Sequence, residues 1–502
     1  MMKVLLILLA VTTISFGGDW SNSGGNSGRN GLSSEVGPLN SNLLWSGGRT
    51  SLIAWQPVTE GTRVFMIRQL GWAGTPDDSP VVCMDIDTGE ELWAVDIPYE
   101  TGDWTTWIAG VNDGLVFVSR SGNGASVSAK LYALSSDDGT VVWESTTEIT
   151  AGPYDGVVFA ADGDPIVASF QNIWRFDSED GSVVWESSRT ASVSGTCGGC
   201  LYGDAFYVVD VAVDGHVLVR YDAETGVEMY QSQLMPGFTA QCTPMVSPDG
   251  TIYFNRSQNN PVTDFFYAFE DDGTSITEKW HIPTVNAAGP EFGIGIDGSV
   301  FFVIPGPRLA RINSADGSII DQTDVLPDYS KSRIAVSSDG TVFFSNGEFA
   351  TGRLYAFTED LSLLWEVSVT NINIGGPALG QGGTLVVCGN GTIVRAYRDD
   401  NGIDAGNDPY PSGPIMAVTP NPSSGPVMIY LSGGMFTEAL VTVFDLSGRT
   451  IAILQEGTST VGGAMFQWDG CDQSGADVPA GAYLVKAVSG SSTVEGMMVR
   501  LR

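Results

Sequence analysis

Histidine is almost missing from this chain: His216 and His281 are the only two among 502 residues. Imidazole catalysis and metal sites built from clustered histidines are thereby severely limited. Positive charge is also scarce. The chain has 23 basic residues against 58 acidic ones and a net charge of −35. A nucleic-acid ligand is excluded, because phosphates require a basic face. The same imbalance suits a soluble, self-repelling surface. Past residue 18 no run is long and apolar enough to span a bilayer, so the mature protein is expected to have no transmembrane segment.

Cysteine is sparse too, with six: Cys83, Cys197, Cys200, Cys242, Cys388 and Cys471. The CGGC at 197–200 has the spacing of a redox pair, but no helix follows it, and no second close pair completes a zinc site. Export would permit a disulfide, either Cys197–Cys200 or a link to Cys242, with the local pair as the first choice. Buried free thiols are the other reading.

What is present in quantity is glycine, 63 residues, within a chain that is 43% hydrophobic. That balance fits a folded, turn-rich β protein rather than a disordered one. The first 18 residues, MMKVLLILLAVTTISFGG, place Lys3 before an apolar stretch at 4–11, with Ser15 and Gly17 at the −3 and −1 positions of a cut. Residues 1–17 are therefore expected to be a secretory signal peptide. No cysteine follows it to take a lipid.

One phrase recurs along the chain. LYALSSDDGTVVWES (131–145) returns as IWRFDSEDGSVVWES (173–187) and stands earlier as VVCMDIDTGEELWAV (81–95). Each reads as two short strands joined by an Asp/Gly turn and followed by an aromatic. The Gly–aromatic pairs are Gly89/Trp93, Gly139/Trp143, Gly181/Trp185 and Gly226/Tyr230. Gly273/Trp280 carries an insertion, Gly317/Asp321 has lost the aromatic, and a shorter version ends at Trp365. Between these hairpins come "DG" turns leading into apolar runs, at Asp113, Asp249, Asp297 and Asp339. A four-strand unit repeating every forty to fifty residues indicates a β-propeller. Residues 382–400 supply inner strands without a Trp strand, while NSNLLWSGG (40–48) supplies a Trp strand without partners. We expect the two to pair, so that the N-terminal strand carrying Trp45 completes the last blade and removes an exposed edge. The count is eight blades, with seven as the alternative.

DIDTGEELW (85–93) and YDAETGVEMY (221–230) resemble the repeat of the pyrroloquinoline quinone (PQQ) propellers, with its Asp-x-x-Thr-Gly-x-x-x-Trp docking motif. The resemblance covers about 360 residues. It implies blade-docking roles for Trp45, Trp93, Trp143, Trp185, Tyr230, Trp280 and Trp365. After a Pro/Gly/Asp linker at 399–418 the chain changes character. PNPSSG at 420, VFDLSGR at 443 and VPAGAYLVK at 478 resemble the C-terminal sorting domain of type IX secretion, and 466–483 is similar to FlgD-like immunoglobulin modules. Both imply a small β-sandwich without catalysis.

The expected organisation is all-β: a signal peptide (1–17), a lead-in (18–41), a PQQ-like propeller (42–398), the linker (399–418) and an immunoglobulin-like sandwich (419–502). GIGIDG (293–298) satisfies G-x-G-x-x-G but is followed by a strand, SVFFV, so no dinucleotide site is expected. Asp399, Asn401, Asp404 and Asp408 in the linker are the candidate oxygen ligands for one Ca²⁺. Trp55, Trp72, Trp104 and Trp107 form a candidate aromatic surface for a sugar or a peptide. The resemblance also raises a quinoprotein dehydrogenase, in which PQQ and calcium sit on the propeller axis with an Asp as base. The adjacent Cys–Cys pair of many such enzymes is absent, and no acid is identified as the base. The reading is therefore a secreted, monomeric, non-catalytic binding or scaffold protein of a Gram-negative-type bacterium. It would use no PQQ, act outside the cell or at its surface, and engage a protein or carbohydrate ligand. Its C-terminal domain would address it to the outer-membrane secretion machinery. A periplasmic scaffold of the outer-membrane-assembly type is the remaining alternative.

Overall fold

The computed structural model describes residues 19–47, 56–68, 80–98, 105–121, 128–150, 156–190, 198–237, 243–259, 262–284, 292–348, 350–369, 372, 375–389, 394–399, 403–404, 415–419, 423, 425–432, 439–454, 458–460, 463–489 and 492–501. Among these residues the only helical piece is one 3₁₀ turn, Gln381–Gly383, and no helix is long and apolar enough to cross a membrane. The described residues form ten antiparallel sheets, eight of them from residues 42–404. In the second of the eight the order is Thr105–Asn112, Leu115–Ser121, Ser128–Ser135, Val141–Thr150. The first strands of neighbouring sheets lie against one another, so they form the inner wall of a ring and the Trp strands form its rim.

Asn42–Gly47 pairs antiparallel with Val394–Tyr397, Trp45 standing opposite Ala396. The expected closure of the ring by the N-terminal strand is what the structure has. The linker also contributes, because Ile403–Asp404 adds to the outer side of Asn42–Gly47. The last sheet therefore reaches further into the linker than the sequence reading placed it.

The recurrent hairpin explains how the sheets hold together. In DIDTG the Asp85 carboxylate accepts from the amides of Asp87 and Thr88 and from the Thr88 hydroxyl, at 2.8–3.0 Å. Asp222 does the same in DAETG with Glu224 and Thr225. These bonds favour the charged form and hold the Asp222 carboxyl below the usual carboxylate range. The turn then closes through a glycine in the left-handed region, Gly89 at φ +69° and Gly226 at +71°, which a side chain disfavours.

Space gives these glycines a second role. A Cβ on Gly89 would fall 2.5 Å from the Trp45 ring, and one on Gly181 would fall 2.5 Å from Trp143. Gly89, Gly139, Gly181, Gly226 and Gly317 thus each seat the Trp of the preceding blade rather than one of their own, while Gly273, which follows the blade that carries Tyr230, has open space. The indole completes the joint by donating to a turn carbonyl: Trp45 to Ile86, Trp93 to Ser136, Trp143 to Ser178, Trp185 to Ala223 and Trp280 to Ser314, at 2.8–3.0 Å. Trp365 has no hairpin ahead of it, since the next blade is split between the two chain ends, and it donates instead to Pro38 (3.1 Å).

Where the Trp is replaced, ion pairs and hydroxyls take over. Tyr230 donates to Asp271 of the next blade (2.7 Å), alongside Arg220. Arg311 pairs with Asp321 in its own sheet and with Glu359 in the next. Arg63–Asp137, Arg175–Glu224 and Arg398–Asp87 bridge other neighbours. An exposed pair such as Arg63–Asp137 contributes only about 0–1 kcal/mol, whereas Arg175 and Asp271 are themselves buried and need their partners. The buried apolar layers between the sheets supply the main driving force.

The tail forms a sandwich of two four-stranded sheets. Ile415–Thr419, Val427–Ser432, Gly463–Trp468 and Thr458–Thr460 make one; Thr450–Leu454, Leu440–Asp445, Gly481–Ser489 and Ser492–Arg500 make the other. Trp468, Phe466, Val443, Val485 and Met498 fill the space between them, and the Arg500 guanidinium lies 5.8 Å from the Trp468 ring centre. The first of these strands begins four residues ahead of the boundary expected at 419.

Candidate functional site: the threaded axis

The described part of the lead-in, residues 19–41, carries the most informative geometry among the described residues. Its SNSGGNSGRNG (21–31) has the composition of a flexible linker, yet Trp20, Asn22, Gly24, Gly25, Arg29, Asn30 and Gly31 are buried. The segment makes one circuit of the ring, touching the innermost strand of every blade or the residues beside it.

The circuit starts at the first blade. There the Trp20 N–H donates to Thr59 O (3.1 Å) and the Thr59 N–H donates back to Trp20 O (2.9 Å). Val111 of the second blade donates to Ser21 O (2.8 Å). At the third blade the Asn22 amide donates to Val157 O (2.9 Å), and the Ser27 hydroxyl donates to Phe159 O (2.9 Å). Leu201 of the fourth blade donates to Ser27 O, and Val246 of the fifth donates to Gly28 O, both at 2.8 Å. The sixth follows with Ile294 donating to Asn30 O (2.9 Å). At the seventh, Val336 donates to Gly31 O (2.7 Å) and Ser33 donates to Val336 O (2.9 Å). The eighth ends the turn, with the Ser33 hydroxyl reaching Leu379 O (3.5 Å) and the Gly383 N–H reaching the Glu35 carboxylate (3.1 Å).

The unusual composition follows from this path. A Cβ on Gly31, which has φ +71°, would sit 2.8 Å from Ile334 O, and one on Gly28 would sit 2.9 Å from Val246 O. Only glycine lets the backbone lie that close to the inner strands. Short amide and hydroxyl side chains then satisfy carbonyls that face the axis.

Arg29 is the centre of the thread. Its guanidinium donates to Gly199 O (2.7 Å), Ser23 O (2.8 Å) and Gly156 O (3.0 Å), tying the thread to the third and fourth blades and to itself. Gln56 works similarly on the opposite side, donating to Pro377 O (2.7 Å) and accepting from the Gly24 N–H (3.3 Å). At the mouth, where the thread enters, Asp19 accepts from the Gly61 N–H (2.8 Å) and Glu60 accepts from the Gly114 N–H (3.0 Å). Burial raises both carboxyls above their ordinary values, more than these hydrogen bonds lower them, and their negative neighbours add to the rise.

The residues singled out from the sequence distribute differently. Trp107 is buried, with its indole donating to Arg120 O (2.9 Å). It is core and not part of an aromatic surface. Trp55, Trp72 and Trp104 lie outside the described residues. Cys200 is a free thiol, completely buried in the first strand of the fourth blade, and not half of a disulfide. Burial keeps it protonated by pushing its pKa up. Cys197 and Cys242 lie outside the described residues.

Of the four calcium candidates, Asn401 and Asp408 also lie outside them. The Asp399 carboxylate accepts from the amides of Leu39 and Asn40, both at 3.0 Å, and so fastens the end of the lead-in. Asp404 sits in the added strand opposite Asn42. Among the described residues no group of three His, Cys, Asp or Glu side chains is placed to hold a metal. His216 is buried, and burial together with nearby Arg256 lowers its pKa to about 4. The exposed His281 ring lies 2.6 Å from Glu278. GIGIDG forms an inner strand, Gly293–Ile294, and a turn, and the strand expected after it is Val300–Ile304.

Sequence reasoning missed the thread. The available signal was the order of glycine, asparagine and serine immediately ahead of a strand already assigned to the last blade.

Residues 77–323 match the family of the outer membrane protein assembly factor BamB, and residues 423–493 match the FlgD Ig-like domain. Among solved structures, BamB from Moraxella catarrhalis is 12% identical, with a TM-score of 0.50 over 71% of this chain and 99% of its own. The Dos1 propeller is 9% identical, with a TM-score of 0.54 over 72% and 96%. The quinohemoprotein alcohol dehydrogenase from Comamonas testosteroni is 14% identical, with a TM-score of 0.50 over 76% and 80%. At these identities the likeness is one of fold. No curated protein matches the chain.

Removing the thread tests its part in the ring. Deleting residues 18–48 should leave open both the axis and the rim of the last blade, and the protein should aggregate or melt far below the full chain. Arg29→Ala takes the donor from three carbonyls and should cost at least about 3 kcal/mol, counting at least about 1 kcal/mol for each group left without a partner. Urea denaturation measures the second effect, and an unchanged midpoint would contradict it.

Proposed function

We propose that this chain is an exported, non-catalytic propeller that binds or scaffolds a protein or carbohydrate partner, and that its C-terminal domain directs it across the outer membrane. The threaded axis carries the non-catalytic reading. In the PQQ dehydrogenases that the repeat resembles, the quinone, its calcium ion and the catalytic Asp share the propeller axis. Here residues 20–35 hold hydrogen-bonding edges that face that axis. The carboxylates at its mouth, Asp19 and Glu60, are held by backbone amides. A propeller with such an axis interacts through its rims and loop faces. The match of residues 77–323 to the BamB family favours a second reading, a periplasmic scaffold of outer-membrane assembly. Against it stands the tail, with the phrases that resemble a sorting domain.

Two measurements separate these readings. Purified protein incubated with PQQ and Ca²⁺ should oxidise no alcohol or sugar in a dye-linked assay. Stoichiometric quinone binding with turnover would overturn the non-catalytic reading. Cells producing a form that ends at residue 418 should hold a folded propeller in the periplasm, while the full chain reaches the surface or the medium. Equal export of both forms would defeat the sorting reading and leave the tail as an accessory domain.

A further inference from the structure

In the tail sheet that holds the last strand, alternate residues point away from the sandwich core. Cross-strand register sets them side by side. Phe444 stands opposite Leu484 and Leu484 opposite Met497. Leu440 stands opposite Val488, and Ile453 opposite Thr442. These side chains face solvent: Leu440 is 42% exposed, Ile453 43%, Leu484 43%, Val488 37% and Met497 58%. The inward set on the same strands, including Val443, Val485, Ala487 and Met498, is buried, so the core does not need the outer set. Beside Leu484 and Met497 on the outer face, Lys486 and Glu495 neutralise each other (2.6 Å). A solvent-facing sheet ordinarily carries polar residues on its outer side. A contiguous apolar patch on a protein's surface is often a functional one.

Charge narrows the occupant. From residue 419 on there are 7 of the 58 acidic residues and 4 of the 23 basic ones, a net charge of −3 out of −35. The propeller side of the chain is thus strongly anionic and the tail nearly neutral. A second copy would bring another −35 into contact range, which self-repulsion opposes. An anionic lipid surface is disfavoured likewise, because the face offers no cluster of basic residues. A neutral apolar protein face fits.

We propose that this outer face, centred on Leu484 and Met497, is the surface by which a protein of the export apparatus engages the tail. The partner presents an uncharged, apolar patch of its own. This rests on the sorting reading above and names the part of the tail that is read.

The test compares the full chain, the form ending at residue 418, and full-length Leu484→Asp/Met497→Asp. The double variant changes only outward positions, so its melting temperature should stay within a few degrees of the parent. Its amount outside the cell should fall at least tenfold. If it does not fold, Leu440→Asp/Ile453→Asp on the same face takes its place. Normal export of the folded variant while the truncated form is retained overturns this inference and leaves the sorting reading standing. Export of the truncated form defeats both. Sedimentation of the purified parent should show a monomer, and phosphatidylcholine vesicles should not carry it in flotation. A dimer dissociated by the variant would assign the face to a second copy. Vesicle binding abolished by the variant would assign it to lipid. Either result overturns the proposal.

Discussion

One stretch of about thirty residues closes this propeller twice. Residues 20–35 complete a circuit of hydrogen bonds along the inner wall, and Asn42–Gly47 then supplies the outer strand of the last sheet. Both closures reach partners late in the chain, among them Val336, Leu379 and Tyr397. The two ends of the propeller are thus bound to each other through its axis and its rim together. Separating them means breaking contacts to all eight sheets rather than peeling one edge.

Between these closures the ring is built from one joint used repeatedly. A carboxylate or hydroxyl holds the turn, a left-handed glycine leaves room, and the preceding blade's indole fills that room and donates to the turn carbonyl. Asp85, Gly89 and Trp45 show it across the point where the chain ends meet. The joint tolerates decay. Tyr230 and Asp271 preserve it with a hydroxyl and a carboxylate, and Pro38 supplies the missing carbonyl for Trp365. This tolerance explains how units that differ so much in sequence remain in one ring.

The joint is also why much of the fold was legible. Gly–aromatic spacing is a local pattern, and the unmatched Trp45 strand at one end answered the unmatched inner strands at the other. The tail was legible for the same reason, its strands alternating between turn signals. The thread was not, because its residues have no periodicity. Glycine, asparagine and serine in sequence describe a segment without a side-chain core, and burial of such a segment depends on carbonyls that other parts of the chain present. Trp107 misled for the opposite reason: it lies off the repeat position, yet its place on an inner strand buries it. Cys200 likewise follows its strand into the core and stays a thiol. The apolar outer face of the tail sheet shows in the alternation of GAYLVKAVS (481–489), where both alternating sets contain apolar residues.

Amide hydrogen exchange in the native, full-length protein tests the threaded axis most directly. Peptides covering residues 20–35 should exchange as slowly as the inner strands, through global opening, despite their linker-like composition. Exchange within seconds, at the rate of an unstructured glycine- and serine-rich segment, would contradict it.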